Sequence, residues 1–110
     1  MKHHDYYIHV AMAEAKKSPH IHKHGAVLIN NTGTIVSRGH NRYVTEMCHR
    51  HFVHAEVDAI FSYPKRNIRG FRLYVVRIRN YDNDVLANSK PCECCRRVCI
   101  KRELCVYYSS

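Results

Sequence analysis

The sequence predicts a three-layer α-β-α fold with a mixed sheet of at least four strands, built as a single domain over residues 1–110. Short apolar runs that suit buried strands alternate with segments whose apolar residues recur at helical spacing. Strands joined through a helix pair in parallel by right-handed crossovers, so a sheet that also contains a hairpin is mixed. The 110 residues, of which 45% are hydrophobic and 25% charged, are enough for one core of ordinary globular composition.

The first half of the chain predicts a helix followed by a β-hairpin. Apolar residues at helical spacing predict the helix over residues 6–17, with Asp5 as its N-cap. Two apolar runs, residues 25–30 and 34–37, predict strands joined by a turn at residues 31–33.

The second half predicts helix, strand, helix and strand. Residues 38–52 lack a clear period and are predicted to be a loop, and residues 80–90 are polar and turn-rich. A second helix is predicted over residues 54–62, with a core stripe of Val53, Val57 and Ile60. The remaining predicted elements are a strand over residues 73–78, a helix that begins near Cys92 and a strand over residues 104–108.

The net charge of +9 results from 18 Lys and Arg residues against 9 acidic residues. It favours a phosphate-bearing partner, either a small nucleotide or a nucleic acid, although a solvated basic surface explains it equally well. No run approaches the roughly 20 apolar residues that span a bilayer, and the first residues contain no apolar signal core. We therefore expect no membrane association and an intracellular, cytoplasmic location.

Six cysteines in a short chain suggest either disulfides or a metal site. Four of them crowd into residues 92–99, too close together to join distant parts of a fold, whereas all ten histidines lie at or before His54. Folding would have to bring imidazole and thiolate groups together, which favours a metal over disulfides.

Two short segments predict the chemistry. Cys92 and Cys95 form a Cys-x-x-Cys pair at the start of a predicted helix, where unpaired N–H groups favour thiolate. His54 begins the other helix, and parallel crossovers bring equivalent helix starts to one edge of the sheet. These spacings allow three protein ligands to converge on one Zn²⁺ ion and leave a fourth position for water, as in catalytic sites. Glu56, two residues beyond His54, is predicted to act as the catalytic base and then as the acid.

With these residues, His54-Ala55-Glu56 and Pro91-Cys92-Glu93-Cys94-Cys95, the sequence resembles the zinc-dependent cytidine and deoxycytidylate deaminase superfamily. The resemblance implies the cytidine-deaminase-like fold, zinc ligation by His54, Cys92 and Cys95, and proton transfer by Glu56. It also implies that Asn41, in a Gly-His-Asn segment, holds the sugar or base of the substrate.

The substrate is left open among the branches of that family. His54 matches the deoxycytidylate and tRNA-adenosine branches. Asp58 stands where the deoxycytidylate branch often has Asn, Cys94 stands where the tRNA-adenosine branch favours Met, and Arg96 is similar to the nucleoside enzymes. Hydrolytic deamination of a cytosine-containing nucleoside or nucleotide, of deoxycytidylate type, is the first choice. Deamination of tRNA adenosine or of cytosine in a nucleic acid is the alternative.

An alternative of another class is a non-catalytic basic zinc-binding module. Cys48 and His51 are spaced as Cys-x-x-His and, with Cys92 and Cys95, would close a four-ligand structural site. That arrangement leaves His54 and Glu56 without a role. A second, structural zinc near Cys48 is a further possibility beside the catalytic ion.

The other cysteines, histidines and tyrosines are given structural roles. Cys99 and Cys105 are predicted to be small buried residues, and Tyr107 and Tyr108 to lie on a strand at an edge or interface. The irregularly spaced histidines near the N-terminus, among them those at 22 and 24, are expected on the surface. Exposed sheet edges predict a homo-oligomer.

Overall fold

A computed structural model describes residues 2–19, 22–46, 49–78, 86–87 and 93–109. Within these ranges, side chains are described except at residues 2–3, 43–46, 49–52, 86–87 and 93–94. The helices are α1 (Lys2–Ala15), α2 (Ala55–Ser62) and α3 (Glu93–Lys101). The strands are β1 (Lys23–Ile29), β2 (Ile35–His40), β3 (Arg42–Glu46), β4 (His49–Val53), β5 (Arg72–Ile78), β6 (Leu86–Ala87) and β7 (Cys105–Tyr108).

The main sheet is mixed, as predicted. Its strand order is β2-β1-β5, and β6 and β7 both pair with β5. The β1 strand is antiparallel to β2 and to β5, whereas β5 and β7 are parallel and are connected through α3. This parallel pairing is the crossover that alternating strands and helices predicted.

The three layers of the predicted fold follow from the alternation of side chains along the two central strands. On one face of the sheet, Ala26 and Val75 pack with residues of α2 and with Cys99 of α3. On the other face, Val27 and Val76 pack against the α1 side chains. The helices therefore cover both faces of the sheet, which confirms the α-β-α architecture.

Two glycines allow the helices to approach the sheet closely. A Cβ atom at Gly25 would lie 2.5 Å from the backbone nitrogen of Ala15 in α1. A Cβ atom at Gly39 would lie 2.6 Å from the carbonyl oxygen of Ala55 in the first turn of α2. Since these neighbours are backbone atoms, they cannot rotate away as a side chain could, and a larger residue at either position would displace a helix.

The prediction of a loop over residues 38–52 is wrong, because most of this segment forms strands. The β2 strand continues to His40, and β3 and β4 form a separate antiparallel hairpin with Arg42 opposite Val53 and Glu46 opposite His49. The histidines and arginines in this segment obscured its strand-forming residues, among them Tyr43 and Val44. The polar segment after β5 likewise contains β6, which pairs with the last two residues of β5.

Smaller corrections concern helix ends and buried faces. The α1 helix begins at Lys2, so Asp5 lies in its first turn and is not its N-cap. In α2 the buried apolar residues are Ala55, Ala59 and Ile60, so only Ile60 of the predicted core stripe is fully buried. None of the helices in the described ranges has both the length and the apolar character needed to cross a membrane.

Candidate active site

The candidate site lies at the sheet edge where β1 begins, β2 and β5 end, and the first turns of α2 and α3 meet. His54 is the N-cap of α2, with an extended backbone, and its imidazole makes no capping hydrogen bond. The first intrahelical bond of α2 runs from the amide of Asp58 to the carbonyl of His54 at 2.9 Å. The side chain of His54 therefore projects from the helix start, next to α3.

Two of the three predicted zinc ligands lie together. The Sγ atom of Cys95, in the first turn of α3, is 3.3 Å from Nδ1 of His54, although the two residues are far apart in sequence. Cys95 is buried, with 2% of its surface exposed. The structure thus brings one imidazole and one thiol into contact, as the spacing of the two segments predicted.

This donor pair fits one zinc ion. At the usual zinc–nitrogen and zinc–sulfur bond lengths of about 2.0–2.1 and 2.3 Å, two ligands of a tetrahedral ion lie roughly 3.5 Å apart. The observed separation between His54 and Cys95 is close to that value. The predicted third ligand, Cys92, lies outside the described residues, and within them no group of three His, Cys, Asp or Glu side chains is placed to hold a metal.

Glu56 lies beside these two residues in the first turn of α2. Its side chain is buried, with 4% exposed. Burial raises the pKa of the Glu56 carboxyl, and this effect outweighs the opposing influence of its own backbone N–H, the charge of His54 and a hydrogen bond with Cys95. The structure therefore places a poorly hydrated carboxyl group in contact with Cys95.

Asn41 is buried at the same edge but is engaged with the backbone. Its Oδ1 accepts a hydrogen bond from the amide of His24 at 2.9 Å, and its Nδ2 donates one to the carbonyl of His22 at 2.5 Å. Its own carbonyl accepts a hydrogen bond from Ser18. An amide side chain keeps one further hydrogen and one further lone pair, so the predicted contact of Asn41 with substrate stays a prediction.

Asp58, a departure from the deoxycytidylate branch, has a structural role here. Its carboxylate accepts a hydrogen bond from the backbone amide of His40 at 3.1 Å and two from Arg42, the shorter of 2.8 Å. Asp58 thereby ties α2 to the end of β2 and the start of β3, and so positions the helix that bears His54 and Glu56.

Sequence reasoning missed two basic residues at this edge. His24 on β1 lies opposite Arg77 on β5 and is half-buried, not on the surface as expected. The sequence predicts Arg77 within the strand over residues 73–78 and assigns it no function. A cation within the run Val75-Val76-Arg77-Ile78 was the signal that could have drawn attention to it.

Of the two cysteines predicted to be buried, only one is buried. Cys99 is buried as predicted, whereas Cys105 is exposed, because β7 lies at the edge of the sheet with its first side chain in solvent. Cys48 and the side chain of His51, which the closed structural site requires, lie outside the described residues.

Comparison with a family described as "Cytidine and deoxycytidylate deaminase zinc-binding region" gives a match over residues 1–108. No curated protein matches the chain in sequence.

Solved structures with the same fold include three kinds of deaminase. The dCMP deaminase of cyanophage S-TIM5 is 20% identical, with a TM-score of 0.69 over 94% of this chain and 79% of that one. The cytidine deaminase of Burkholderia pseudomallei is 27% identical, with a TM-score of 0.66 over 91% of this chain and 76% of that one. A diaminohydroxyphosphoribosylaminopyrimidine deaminase/5-amino-6-(5-phosphoribosylamino)uracil reductase of Thermotoga maritima is 22% identical, with a TM-score of 0.67, and this chain spans 30% of its length.

The family match covers almost the whole chain, and the layered fold is that of the solved deaminases. The chain therefore belongs to the cytidine and deoxycytidylate deaminase family of zinc-dependent hydrolytic enzymes.

Proposed function

We propose that the protein deaminates cytosine in a deoxycytidylate-type nucleotide, with Glu56 as the proton-transfer residue and with His54, Cys92 and Cys95 as the ligands of one catalytic zinc ion. The observation that carries the proposal is the contact of a buried carboxyl, Glu56, with Cys95 beside His54. A solvated helix carboxylate would not be buried against a thiol that lies beside an imidazole.

The reaction adds water at C4 of the cytosine ring and releases ammonia, which leaves uracil. Glu56 accepts a proton from the attacking water and delivers it to N3 of the ring. It then transfers the second proton of that water to the departing amine. Glu56 thereby returns to its starting protonation state, and the overall reaction converts water and cytosine into uracil and ammonia.

A zinc ion at this site would supply a Lewis acid that makes water nucleophilic near neutral pH. The starts of α2 and α3 meet at the sheet edge, and His54 and Cys95 there are the side chains that would hold the ion together with Cys92. The Cys95 thiol and the Glu56 carboxyl share a hydrogen bond in this structure, so the carboxyl lies beside the proposed ligand; as a zinc ligand, Cys95 would be a thiolate without that proton.

The experiment is a pair of measurements, zinc content and ammonia release, on purified variants with dCMP as substrate. Glu56→Gln keeps the shape of the side chain but cannot accept the proton, so we expect zinc to be retained and turnover to fall roughly 100- to 10,000-fold. His54→Ala removes a ligand, so zinc should be lost as well as activity.

Two controls make this test decisive. Glu103→Gln removes a carboxylate that is exposed and paired with Arg69, and should leave both zinc and turnover unchanged. Cys48→Ser should retain zinc. Wild-type turnover by Glu56→Gln would contradict the proposed mechanism, and zinc loss in Cys48→Ser but not in His54→Ala would favour the closed structural site.

A further inference from the structure

A pair of basic residues lies across two strands on the same face of the sheet as the candidate active site. His24 of β1 and Arg77 of β5 are direct partners in the antiparallel register. Side chains alternate along a strand, and Ala26 and Val75 belong to the cluster that packs against α2 and α3. His24 and Arg77, each two residues from a member of that cluster, therefore face α2 and α3 at the end of the strands.

His24 of this basic pair lies near the proposed metal ligand His54. Burial lowers the pKa of His24, and the neighbouring charges of Arg77, His54 and His22 act in the same direction. One terminal nitrogen of Arg77 lies 3.1 Å from Nδ1 of His22. We call His22, His24 and Arg77 the basic cluster.

Arg77 has a donor that is buried without an acceptor. In the described part of the chain, its Nε atom is inaccessible to solvent and has no hydrogen-bond partner. A buried donor left unpaired costs the free energy of its lost hydration, so native structures rarely leave one unsatisfied. Among the described residues, the Arg77 guanidinium therefore keeps one hydrogen-bond donor without an acceptor, in addition to the terminal nitrogen that lies against His22.

The composition of the basic cluster indicates the charge of a group that would bind there. Basic side chains directly opposite each other on neighbouring strands disfavour folding when both are charged. An anion between them reverses the sign of the interaction. Guanidinium groups bind phosphate oxygens through parallel hydrogen bonds, and histidine adds a further donor.

We infer that the basic cluster binds a phosphate group of the substrate, with Arg77 as its principal ligand, so that the enzyme acts on a phosphorylated nucleoside and not on the free nucleoside. The inference rests on the proposed deaminase function, since it places the phosphate beside the residues that would act on the base. Two sources supply the same chemistry: the terminal phosphate of a mononucleotide and the backbone of a single strand.

The test compares deoxycytidine with its 5′-monophosphate as substrates of the zinc-loaded, full-length chain. Wild-type protein should prefer the monophosphate. Arg77→Gln should lower kcat/KM for the monophosphate roughly 10- to 150-fold more than for deoxycytidine, as expected for lost hydrogen bonds to a charged group. Most of this loss should appear in KM, and Arg77→Lys should recover part of it because it restores the charge.

A matched control separates a local contact from the general effect of charge. Arg66→Gln removes the same charge from an exposed position, so the ratio of the two kcat/KM values should not change. A single-stranded oligonucleotide with one deoxycytidine distinguishes the two sources: preference for it assigns the backbone phosphate, and preference for the mononucleotide assigns the terminal phosphate.

Calorimetry with inorganic phosphate tests the basic cluster independently of turnover. Phosphate binding that Arg77→Gln weakens, in a protein that releases no ammonia from any substrate, would uphold the phosphate site and refute the deaminase proposal. Conversely, an equal loss on both substrates, loss of zinc in Arg77→Gln, or a wild-type enzyme without preference for the monophosphate would overturn the phosphate site.

Discussion

Cys99 and Cys105 lie close together in sequence but have opposite surroundings. Cys99 is on the buried face of α3, with 3% of its surface exposed, whereas Cys105 is exposed on β7. Burial raises the pKa of the Cys99 thiol to about 11, and the nearby Glu56 charge contributes in the same direction. Since the thiolate is the reactive form, the two cysteines should differ strongly in reactivity.

We therefore predict that iodoacetamide labels Cys105 of the native protein near neutral pH and leaves Cys99 unlabelled. Mass spectrometry of the two peptides measures the extent of labelling at each position. Labelling after denaturation is the control and should modify both cysteines. Equal labelling rates in the native state would show that Cys99 is neither buried nor protonated as described.

At the level of the elements, the approach of α2 to β2 at Gly39 determines where His54 and Glu56 lie. A Cβ atom at Gly39 would come within 2.6 Å of the Ala55 carbonyl and 2.9 Å of the Asp58 carbonyl carbon. The hydrogen bonds of Asp58 to His40 and Arg42 hold the same helix turn. Little freedom remains for the helix start to move while both contacts persist.

Gly39→Ala should consequently destabilise the protein by about 1–3 kcal/mol, the range for inserting a methyl group into a packed interior. It should also lower turnover, because the displaced helix bears His54 and Glu56. Urea denaturation and ammonia release measure the two effects.

Arg38→Ala is the matched control for this substitution, since it changes the neighbouring exposed residue of the same strand. It should alter neither property appreciably. Full stability and activity in Gly39→Ala would argue against the close packing of α2 on β2.

Across the whole molecule, Glu14 connects the α1 layer to the sheet edge near the site. This buried carboxylate accepts a hydrogen bond from His40 at 2.9 Å and pairs with Lys17 at 3.0 Å. Burial acts to raise the pKa of Glu14, but the hydrogen bonds and charges of His40 and Lys17 outweigh it and lower the pKa from its ordinary value of 4.5.

A carboxyl with a lowered pKa in the folded state stabilises the fold at pH values above its ordinary pKa, and this contribution disappears as the pH falls through the lowered value. Glu14→Gln should therefore reduce stability near neutral pH and make the acid dependence of unfolding shallower. Urea midpoints measured on both sides of pH 4.5 test this expectation.

Glu103→Gln is the control for the acid dependence because its carboxylate is largely exposed and should contribute little. An unchanged pH dependence in Glu14→Gln would mean that the contact between α1 and His40 is not significant for stability. The homo-oligomer predicted from exposed sheet edges stays a prediction, which sedimentation equilibrium can test.

The sequence alone was sufficient for the features that depend on local pattern. Apolar runs and helical spacing predicted three helices, the hairpin of β1 and β2, and the strands β5 and β7, because these patterns reflect burial on one face of an element. The convergence of His54 and Cys95 was also predictable, since parallel crossovers bring helix starts to one sheet edge. The family resemblance rested on these same residues and was confirmed.

Only the tertiary structure decided features that depend on residues distant in the chain. The pairing of His24 with Arg77 is set by the register of β1 on β5, which no local pattern reveals. Cys105 is exposed because β7 occupies a sheet edge, although its composition resembles that of a buried strand. The type of a residue thus indicated which chemistry it could perform. Strand register and layer packing determined which side chains meet, because those contacts join segments that are distant in sequence.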